Sequence, residues 1–503
     1  MAVDLPPPLP PQQGTVEQAQ QGEAVSTVAF QSYSIHVFGP KVLSEAGIAK
    51  AVGSADTLSN AVRALASAYY SAGFPAARTT YALSGQDLYV LVTLGGISDV
   101  QGGEPVTGYF SSLAGKSPLT DRALEPKRLL ASVHADRAGL NLLSELVPDG
   151  DNNHYQLKPG PDVADPTQIR VEFGNPGNRF VGRYFLDVDL RAGDRWGDEF
   201  RAIARSGMHG LTDRVTEGEY FEQNLGWNRV TPWGIFALGG RYADFTFKSE
   251  GATPFNGTVW SGEAYWLYPL FADFRSRFTV QAKVDRNSKT TQLALSGADV
   301  QREVYTSVEA SGAYQRSLDW LAFRWDLEAG LAVRKGLGDP ESALTVANQD
   351  YLLYRPSLRI KNYLTERFTV ALELSGQITS DTVPEQQQWV LGGQGNITTS
   401  LPGVAVGDQG YLARVVGELG TYPVAFVQLA PKVFVESGST TFKTVGSGGT
   451  PAQTDVGAEL GFKVFSWLDG SVAYAQSLAD KDLTAADLNS SDANLYFRVQ
   501  AKF

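Results

Sequence analysis

Hydrophobic and polar residues alternate with a period of two through much of the C-terminal two thirds of the chain. In the last segment, apolar residues occupy every second position from Leu495 to Phe503, and Tyr496, Arg498 and Lys502 lie between them. The same alternation recurs in residues 323–334, 368–377 and 455–464. A period of two is that of a β-strand whose two faces meet different surroundings. The pattern therefore predicts a long series of half-buried strands.

The strand count and the final residue indicate a membrane barrel. Segments of this kind from about residue 167 onwards number roughly sixteen, and single-chain bacterial barrels have an even number of antiparallel strands. The chain ends on Phe503, an aromatic terminus typical of bacterial outer-membrane barrels, in which the assembly machinery reads the last strand. On this interpretation the charged face lines a wide, wet lumen, and the alternative is the exterior of a soluble β-sandwich.

Connections between the strands alternate in length. In such barrels the short turns usually lie in the periplasm and the long loops lie outside the cell. This arrangement places the N-terminal region and the chain end in the periplasm. Short connections are expected near Asp194, Pro232, Thr365, Tyr422 and Trp467, and long ones near 246–257, 335–350, 380–410, 438–452 and 477–493.

The first third of the chain mixes helical and strand periods. Residues 27–96 predict one β-α-α-β-β module, in which a strand Val28–Val37 precedes a helix, a second helix opens at Thr57, and strands follow near 79–83 and 88–93. Residues 97–163 predict a second module, with a strand 97–101, helices near 109–113 and 124–138, and strands 140–146 and 154–158. Each module of about 70 residues is large enough for its own core. The barrel would then occupy 164–503.

Composition narrows the class of protein without defining it. No run of residues reaches the roughly 18 apolar positions that a membrane-spanning helix requires. The chain has no cysteine and a formal net charge of −12, which argue against disulfides and against nucleic acid as a partner. Residues 1–26 are rich in proline and glutamine and read as a linker. Because no signal-peptide pattern follows Met1, we expect a mature exported chain with an added start methionine.

Searches for catalytic and metal sites find little. The four histidines, His36, His134, His154 and His209, have no paired metal-ligand spacing. Residues 149–152 could ligate calcium, but a turn between strands explains them better. No Gly-x-Ser-x-Gly elbow and no phosphate loop occur. We expect no enzyme activity, no cofactor and no metal.

Several motifs resemble the outer-membrane transporters of two-partner secretion, the TpsB family. In the modules, the resemblance rests on Gly73-Phe74, on residues 83–88 and on Leu146-Val147-Pro148, which look like signatures of two POTRA domains. At the barrel entrance, residues 175–179 and 193–198 look like the first loop and first turn. The most specific match is the long sixth loop, whose ends carry Leu391, Gly392 and Gly393, and then Gly407, Asp408 and Gly410.

The middle of this loop departs from the family pattern. Where the family carries Val-Arg-Gly-Tyr, the chain has Ile397-Thr398-Thr399-Ser400. The family arginine meets an aspartate on strand thirteen in a Phe-x-Asp-x-Gly context, and here that position is Glu436 in Phe434-Val435-Glu436-Ser437-Gly438. Glu436 is thus expected to lack its cation, with Thr398 offering only a neutral hydrogen bond. Two interpretations are open at this point: the tip tolerates change, or the chain belongs to a specialised subfamily.

The resemblance implies a pore that takes a secreted exoprotein, large and β-helical, from the periplasm to the cell surface. The other expected partners are outer-membrane lipid and the barrel-assembly machinery that reads Phe503. Alternatives are a barrel-assembly factor, which usually carries more POTRA units, and a passive porin, which would not explain the modules. Residues 15–23 are short and glutamine-rich, so we expect no stable plug helix there.

Overall fold

The structure is a computed structural model, and the chain divides into two units. The first, N-terminal unit comprises residues 1–136, 140–164 and 271–274, and the second comprises 137–139, 165–270 and 275–503. The two units are described separately. The described residues are Glu17, 23–103, 105–150, 152–160, 165–178, 181–208, 218–247, 253–338, 345, 347–443, 449–484, 488 and 491–503. The prediction about a plug helix therefore lies outside the described residues, apart from Glu17 and Glu23.

The first module of the N-terminal unit has a four-stranded sheet with two helices against it. Its core combines Val37 and Val90 of the sheet with Leu65 and Tyr69 of the second helix, all at most 1% exposed. The side chains of Ser44 and Thr57 each accept one amide from the first turn of the helix that follows, those of Gly47 and Asn60, and so favour the point where each helix begins. The strand order is β1-β2-β4-β3, with β2 parallel to β4. In chain order the elements are β1 Ser26–Phe30, β2 Tyr33–Phe38, α1 Glu45–Gly53, α2 Leu58–Ser71, β3 Ala77–Ser84 and β4 Asp87–Leu94.

The predicted single strand Val28–Val37 is wrong, because the structure forms a hairpin there. β1 and β2 pair in antiparallel fashion, with Phe30 opposite Tyr33. Gln31 takes the left-handed conformation that the tight turn requires, with φ of 56°. Because the turn uses no glycine, asparagine or proline, the usual sequence signal for a hairpin is missing.

The second module has a three-stranded sheet of order β5-β7-β6. The expected helix near residues 109–113 is instead a pair of single 3₁₀ turns, Thr107–Tyr109 and Ser111–Leu113. Phe110 and Leu113 of this segment are fully buried, which explains the apolar pattern that resembled a helix. The remaining elements are β5 Ile97–Gln101, α3 Asp121–Arg137, β6 Leu142–Asp149 and β7 Asn152–Pro159.

The second unit is a closed antiparallel barrel, as the alternation predicts. Its wall has sixteen strand positions within the described part of the chain, because the short β22 continues the line of β21 along β23. The first and last strands close the ring, with Gly174 opposite Arg498. The strands are β8 Thr167–Gly174, β9 Phe185–Gly193, β10 Asp198–Gly207, β11 Glu219–Thr231, β12 Gly234–Phe247, β13 Phe255–Ala272, β14 Ser276–Leu293, β15 Asp299–Trp320, β16 Phe323–Gly338, β17 Leu352–Tyr363, β18 Thr369–Thr379, β21 Gln409–Glu418, β22 Tyr422–Val424, β23 Val427–Thr441, β24 Ala452–Val464, β25 Leu468–Lys481 and β26 Leu495–Lys502.

Side-chain directions follow the alternation. Leu460 and Leu495 are exposed on the outer face, at 42% and 54%, whereas Tyr496 points inward and is buried. Phe503 continues β26 by exchanging two main-chain hydrogen bonds with Ile169, of 2.8 and 3.0 Å. None of the described helices is long and apolar enough to cross a membrane.

One short turn lies later than the sequence indicates. The sequence predicts a turn near Tyr422, but Tyr422 pairs with Leu429 inside a strand, and the chain reverses at Ala425, whose φ is 54°. Pro423, next to Tyr422, also lies inside the strand, opposite Gln428. A strand accepts proline where its missing amide is not needed.

Candidate functional site

The sixth loop, between β18 and β21, contains a small hairpin. Its strands are β19 Trp389–Leu391 and β20 Ala405–Gly407. Gly392 and Gly393 follow with φ of 107° and 104°, a conformation that favours glycine. A Cβ on Gly392 would lie 2.1 Å from the carbonyl oxygen of Leu401. The glycines named from the sequence therefore let the two arms of the loop approach closely.

Asp408 ties the base of the loop to its surroundings. Its Oδ1 accepts the amide of Val383 at 2.8 Å, and its Oδ2 accepts the amide of Lys443 at 2.7 Å. Gly407 and Gly410 lie on either side, and a Cβ on Gly410 would lie 2.3 Å from Trp389. A carboxylate that accepts two main-chain amides fixes both segments that carry them.

The loop tip binds the inner wall of the barrel through three consecutive hydroxyl residues. The amide and the hydroxyl of Thr398 donate to Glu436 Oε2, at 2.9 and 2.8 Å. The amide and the hydroxyl of Thr399 donate in the same way to Asp455 Oδ2, both at 2.8 Å. Ser400 Oγ donates to Gln453 Oε1 at 3.1 Å. Because Glu436 and Asp455 are direct partners across β23 and β24, two adjacent carboxylates receive two adjacent loop residues.

The expectation that Glu436 lacks a cation is wrong. Arg414, on the neighbouring strand β21, donates from Nε to Glu436 Oε1 at 2.8 Å and lies opposite Glu436 in the sheet register. Its guanidinium also stacks over Phe434, 5.0 Å from the ring centre. Glu436 is completely buried, and a buried carboxylate requires such a partner. The wall supplies the positive charge that the loop does not.

The far side of the tip binds the segment before the last strand. Leu401 donates its amide to the carbonyl of Ser491 at 2.6 Å, and Ala493 donates to the carbonyl of Thr399 at 3.1 Å. Tyr496 donates its hydroxyl to the carbonyl of Ser400 at 2.7 Å. Thr398 and Ser400 are at most 2% exposed. The tip is thus held on both sides inside the barrel.

The sequence identifies Thr398, Glu436 and Phe434 as site residues, but it does not indicate the contacts of Arg414, Asp455, Thr399 and Tyr496. Arg414 lies on the inward phase of its strand, two residues after Leu412, so the alternation combined with strand register could have found it. Asp455 likewise lies on the inward phase of its strand, β24, opposite Glu436. The alternation places Tyr496 on the polar face of the last strand, but nothing in the sequence indicates its loop partner.

The described residues contain no group of three histidine, aspartate or glutamate side chains that could hold a metal ion. The hydroxyl groups of the tip are instead hydrogen-bonded to Glu436, Asp455 and Gln453 on the barrel wall. A closed antiparallel barrel that is apolar outside and polar inside, with a long loop folded into its lumen, defines the class of outer-membrane barrel proteins with an internal loop.

Comparison with known proteins identifies the family. Residues 161–463 match the profile of the haemolysin secretion/activation protein family ShlB/FhaC/HecB, and the chain belongs to this family. It is accordingly an outer-membrane transporter of two-partner secretion, located in the bacterial outer membrane as a multi-pass β-barrel. Among curated protein sequences, none matches the chain.

Two solved structures share the fold over nearly the whole chain. CdiB from Escherichia coli aligns with a TM-score of 0.71 and 13% identity, over 99% of this chain and 94% of that one. CdiB from Acinetobacter baumannii aligns with a TM-score of 0.65 and 12% identity, over 95% of this chain and 90% of that one.

Proposed function

We propose that the two N-terminal modules, residues 27–96 and 97–163, are POTRA domains that recognise a secreted exoprotein in the periplasm. The barrel, 164–503, then carries this partner to the cell surface. The partner would be a large, β-helical protein that arrives unfolded or extended. Support comes from the α+β composition of both modules and from their free sheet edges, since an extended chain adds to such an edge through main-chain hydrogen bonds.

The loop tip is the gate of this pore. The observation that carries the proposal is the pair of hydroxyl-to-carboxylate contacts from Thr398 and Thr399 to Glu436 and Asp455. Neutral donors on buried carboxylates hold the loop less firmly than an arginine in the loop would. A loop anchored in this way can leave its site when the partner arrives, without an external energy source acting on the chain.

Transport needs no catalysis or cofactor in this scheme. Mixed charges keep the lumen wet, and folding of the partner outside the cell supplies the free energy for transport. Phe503, at the end of the last strand, would be the signal that the barrel-assembly machinery reads during biogenesis.

The test is to compare the proteins released into the medium by cells with the full chain, with residues 165–503 alone, and without the chain. One large extracellular protein should be lost in the second and third cases, while the barrel alone still reaches the outer membrane. Equal release from the barrel alone would show that the modules do not recognise the partner.

A further inference from the structure

Arg78, at the start of β3 in the first module, reaches into the second module. Its Nη1 donates to the carbonyl of Gly150 at 2.9 Å, and its Nη2 donates to the carbonyl of Asn152 and to the side chain of Asn153. One guanidinium thus satisfies three acceptors around the β6–β7 turn. The fixed fork of donors suits this task, whereas a lysine ammonium presents a single point of charge.

The same turn also grips the link between the modules. Gly96 donates its amide to Asn152 Oδ1 at 3.0 Å, and its carbonyl accepts both the amide and the side-chain Nδ2 of Asn153, at 3.0 and 3.1 Å. A Cβ on Gly96 would lie 2.2 Å from the carbonyl of Lys116. Gly96, which joins the two modules, is therefore hydrogen-bonded to Asn152 and Asn153 and lies close to the carbonyl of Lys116. We call Arg78, Gly96, Asn152 and Asn153 the inter-module clamp.

The clamp brings together two strands that are the edges of their sheets. β3 is the last strand in the order β1-β2-β4-β3, and β6 is the last in β5-β7-β6. Among the described residues, β3 pairs only with β4 and β6 only with β7. The start of β3 lies within one arginine side chain of the turn that ends β6. Two free edges therefore meet at the clamp.

The hydrogen-bond phase of each hairpin shows which amides face outward. β3 and β4 close on the pair Ser84–Asp87, and β6 and β7 close on Asp149–Asn152. Because the direction of the amides alternates along a strand, every second residue, starting with the one next to a closing pair, points its amide away from the partner strand. These outward amides belong to Tyr81 and Leu83 in β3 and to Ser144 and Leu146 in β6. Pro148 also falls on this outward phase and has no amide, so the row of outward amides in β6 ends at Leu146.

β3 carries little of the protection that edge strands usually have. After Arg78 its sequence is Thr79-Thr80-Tyr81-Ala82-Leu83-Ser84, which has no charge, no proline and several residues that favour strands. Leu83 is 52% exposed, and Leu143 on β6 is 49% exposed. Proteins commonly guard such edges with lysine, proline or a bulge. An unguarded edge is expected where another chain is meant to pair.

We propose that the inter-module clamp joins β3 and β6 into one composite edge, which receives a single extended segment of the exported protein across both modules. The inference rests on the proposed function, and it adds the strands, the amides and the residue that holds them in register. Each strand has eight residues, or about 26 Å at roughly 3.3 Å per residue. A segment of some twenty residues would span both edges, and joining two weak sites raises affinity through effective concentration.

The clamp itself is tested without any ligand. Since the chain has no native cysteine, spin labels at Arg63→Cys and Ser132→Cys, both exposed, report the distance between the modules in the full chain. We expect one narrow distance distribution, which broadens in Arg78→Ala and in Arg78→Lys. An unchanged narrow distribution in both variants would show that Arg78 does not hold the modules together.

The composite edge is tested with two synthetic peptides of alternating threonine and valine between terminal lysines, one of eight residues and one of twenty. Fluorescence anisotropy should show that the long peptide binds the full chain at least tenfold more tightly than the short one. Arg78→Ala should reduce this ratio to below about threefold, because short-peptide binding does not need the clamp. A ratio that survives in Arg78→Ala would overturn the composite edge.

A matched pair of variants separates main-chain pairing from side-chain contact. Leu83→Pro removes an outward amide, whereas Leu83→Ala removes only the side chain. Binding of the short peptide should weaken at least tenfold more in the proline variant. Short-peptide binding without any gain for the long peptide would leave POTRA recognition standing and sink the composite edge alone. If neither peptide binds while the spin labels still report the clamp, strand addition itself fails, and the composite edge fails with it.

Discussion

Arg414 and Glu436 face each other across two neighbouring barrel strands, with Nε and Oε1 2.8 Å apart. The second oxygen of the same carboxylate accepts the loop residue Thr398. The positive charge therefore belongs to the wall and stays there whether or not the loop is docked. Releasing the loop leaves Glu436 paired with Arg414, so opening the pore does not leave a buried charge without a partner.

Removing the second anchor should loosen the loop tip. Asp455→Ala leaves the amide and the hydroxyl of Thr399 without an acceptor, at a cost of about 1–3 kcal/mol. We expect the tip to undock some ten- to a hundredfold more often, measured as faster thiol labelling of a cysteine at position 400. Asp455→Asn, which keeps an acceptor oxygen, is the control and should have a smaller effect. Equal labelling rates in all three proteins would count against the anchor.

Placing the arginine of the family pattern at position 398 should release the loop rather than hold it in the lumen. From the sequence alone, Thr398→Arg is expected to supply the missing partner of Glu436. The structure reverses this expectation, because Arg414 already occupies Glu436 and Thr398 is completely buried. A second guanidinium would meet a like charge and lack space. Labelling at position 400 should accelerate in Thr398→Arg, and slower labelling would restore the sequence-based view.

The alternation of apolar residues predicts the barrel, its strand count and which side chains point outward, because every strand repeats the same two-sided environment. It could not define the pairing of Arg414 with Glu436 or of Thr399 with Asp455. Such contacts depend on strand register and on a loop that folds back over many residues. The β1–β2 turn at Gln31 was missed for a local reason, since a left-handed residue other than glycine leaves no mark in the sequence.

Charge on the outer face should prevent stable insertion. Leu460 is 42% exposed on the outside of β24, between Pro431 and Val472 on the adjacent strands. Leu460→Arg should destabilise the barrel by about 2–4 kcal/mol if the residue lies near the bilayer midplane. Heat-modifiable mobility on gels measures the folded fraction, and Leu460→Phe should remain normal. A normal folded fraction in Leu460→Arg would contradict the lipid-facing assignment.

The second module should respond to pH through His154. Its Nδ1 is hydrogen-bonded to Asp99, and its Nε2 lies 3.5 Å from Asp149. The Asp99 contact raises the pKa of His154 above its ordinary value. Hydrogen bonds from Gln101 and then from His154 lower the pKa of Asp99.

The sign of the pH effect follows from these two shifts. A raised histidine pKa means that the contact stabilises the module fully below pH about 6.5 and that this contribution is lost as the pH rises through the folded-state pKa. Because the pKa of Asp99 is lowered, its contribution to stability is fully present above about pH 4 and is lost as the pH falls through its folded-state pKa. Carbon-13 labelling of the histidines should give a midpoint for His154 above 6.5, and Asp99→Asn should lower it. The same midpoint in both proteins would exclude the contact.

The most direct test of the account is the ionic current through single pores in planar bilayers, because the central claim is that Thr398 and Thr399 hold the sixth loop in the lumen. The variant carrying Thr398→Val and Thr399→Val keeps the shape of both side chains and removes both hydroxyl donors. Its open events should be at least tenfold more frequent than those of the wild type, and Thr454→Val, on the wall outside these contacts, should behave like the wild type. Identical gating in the double variant and the wild type would contradict the claim.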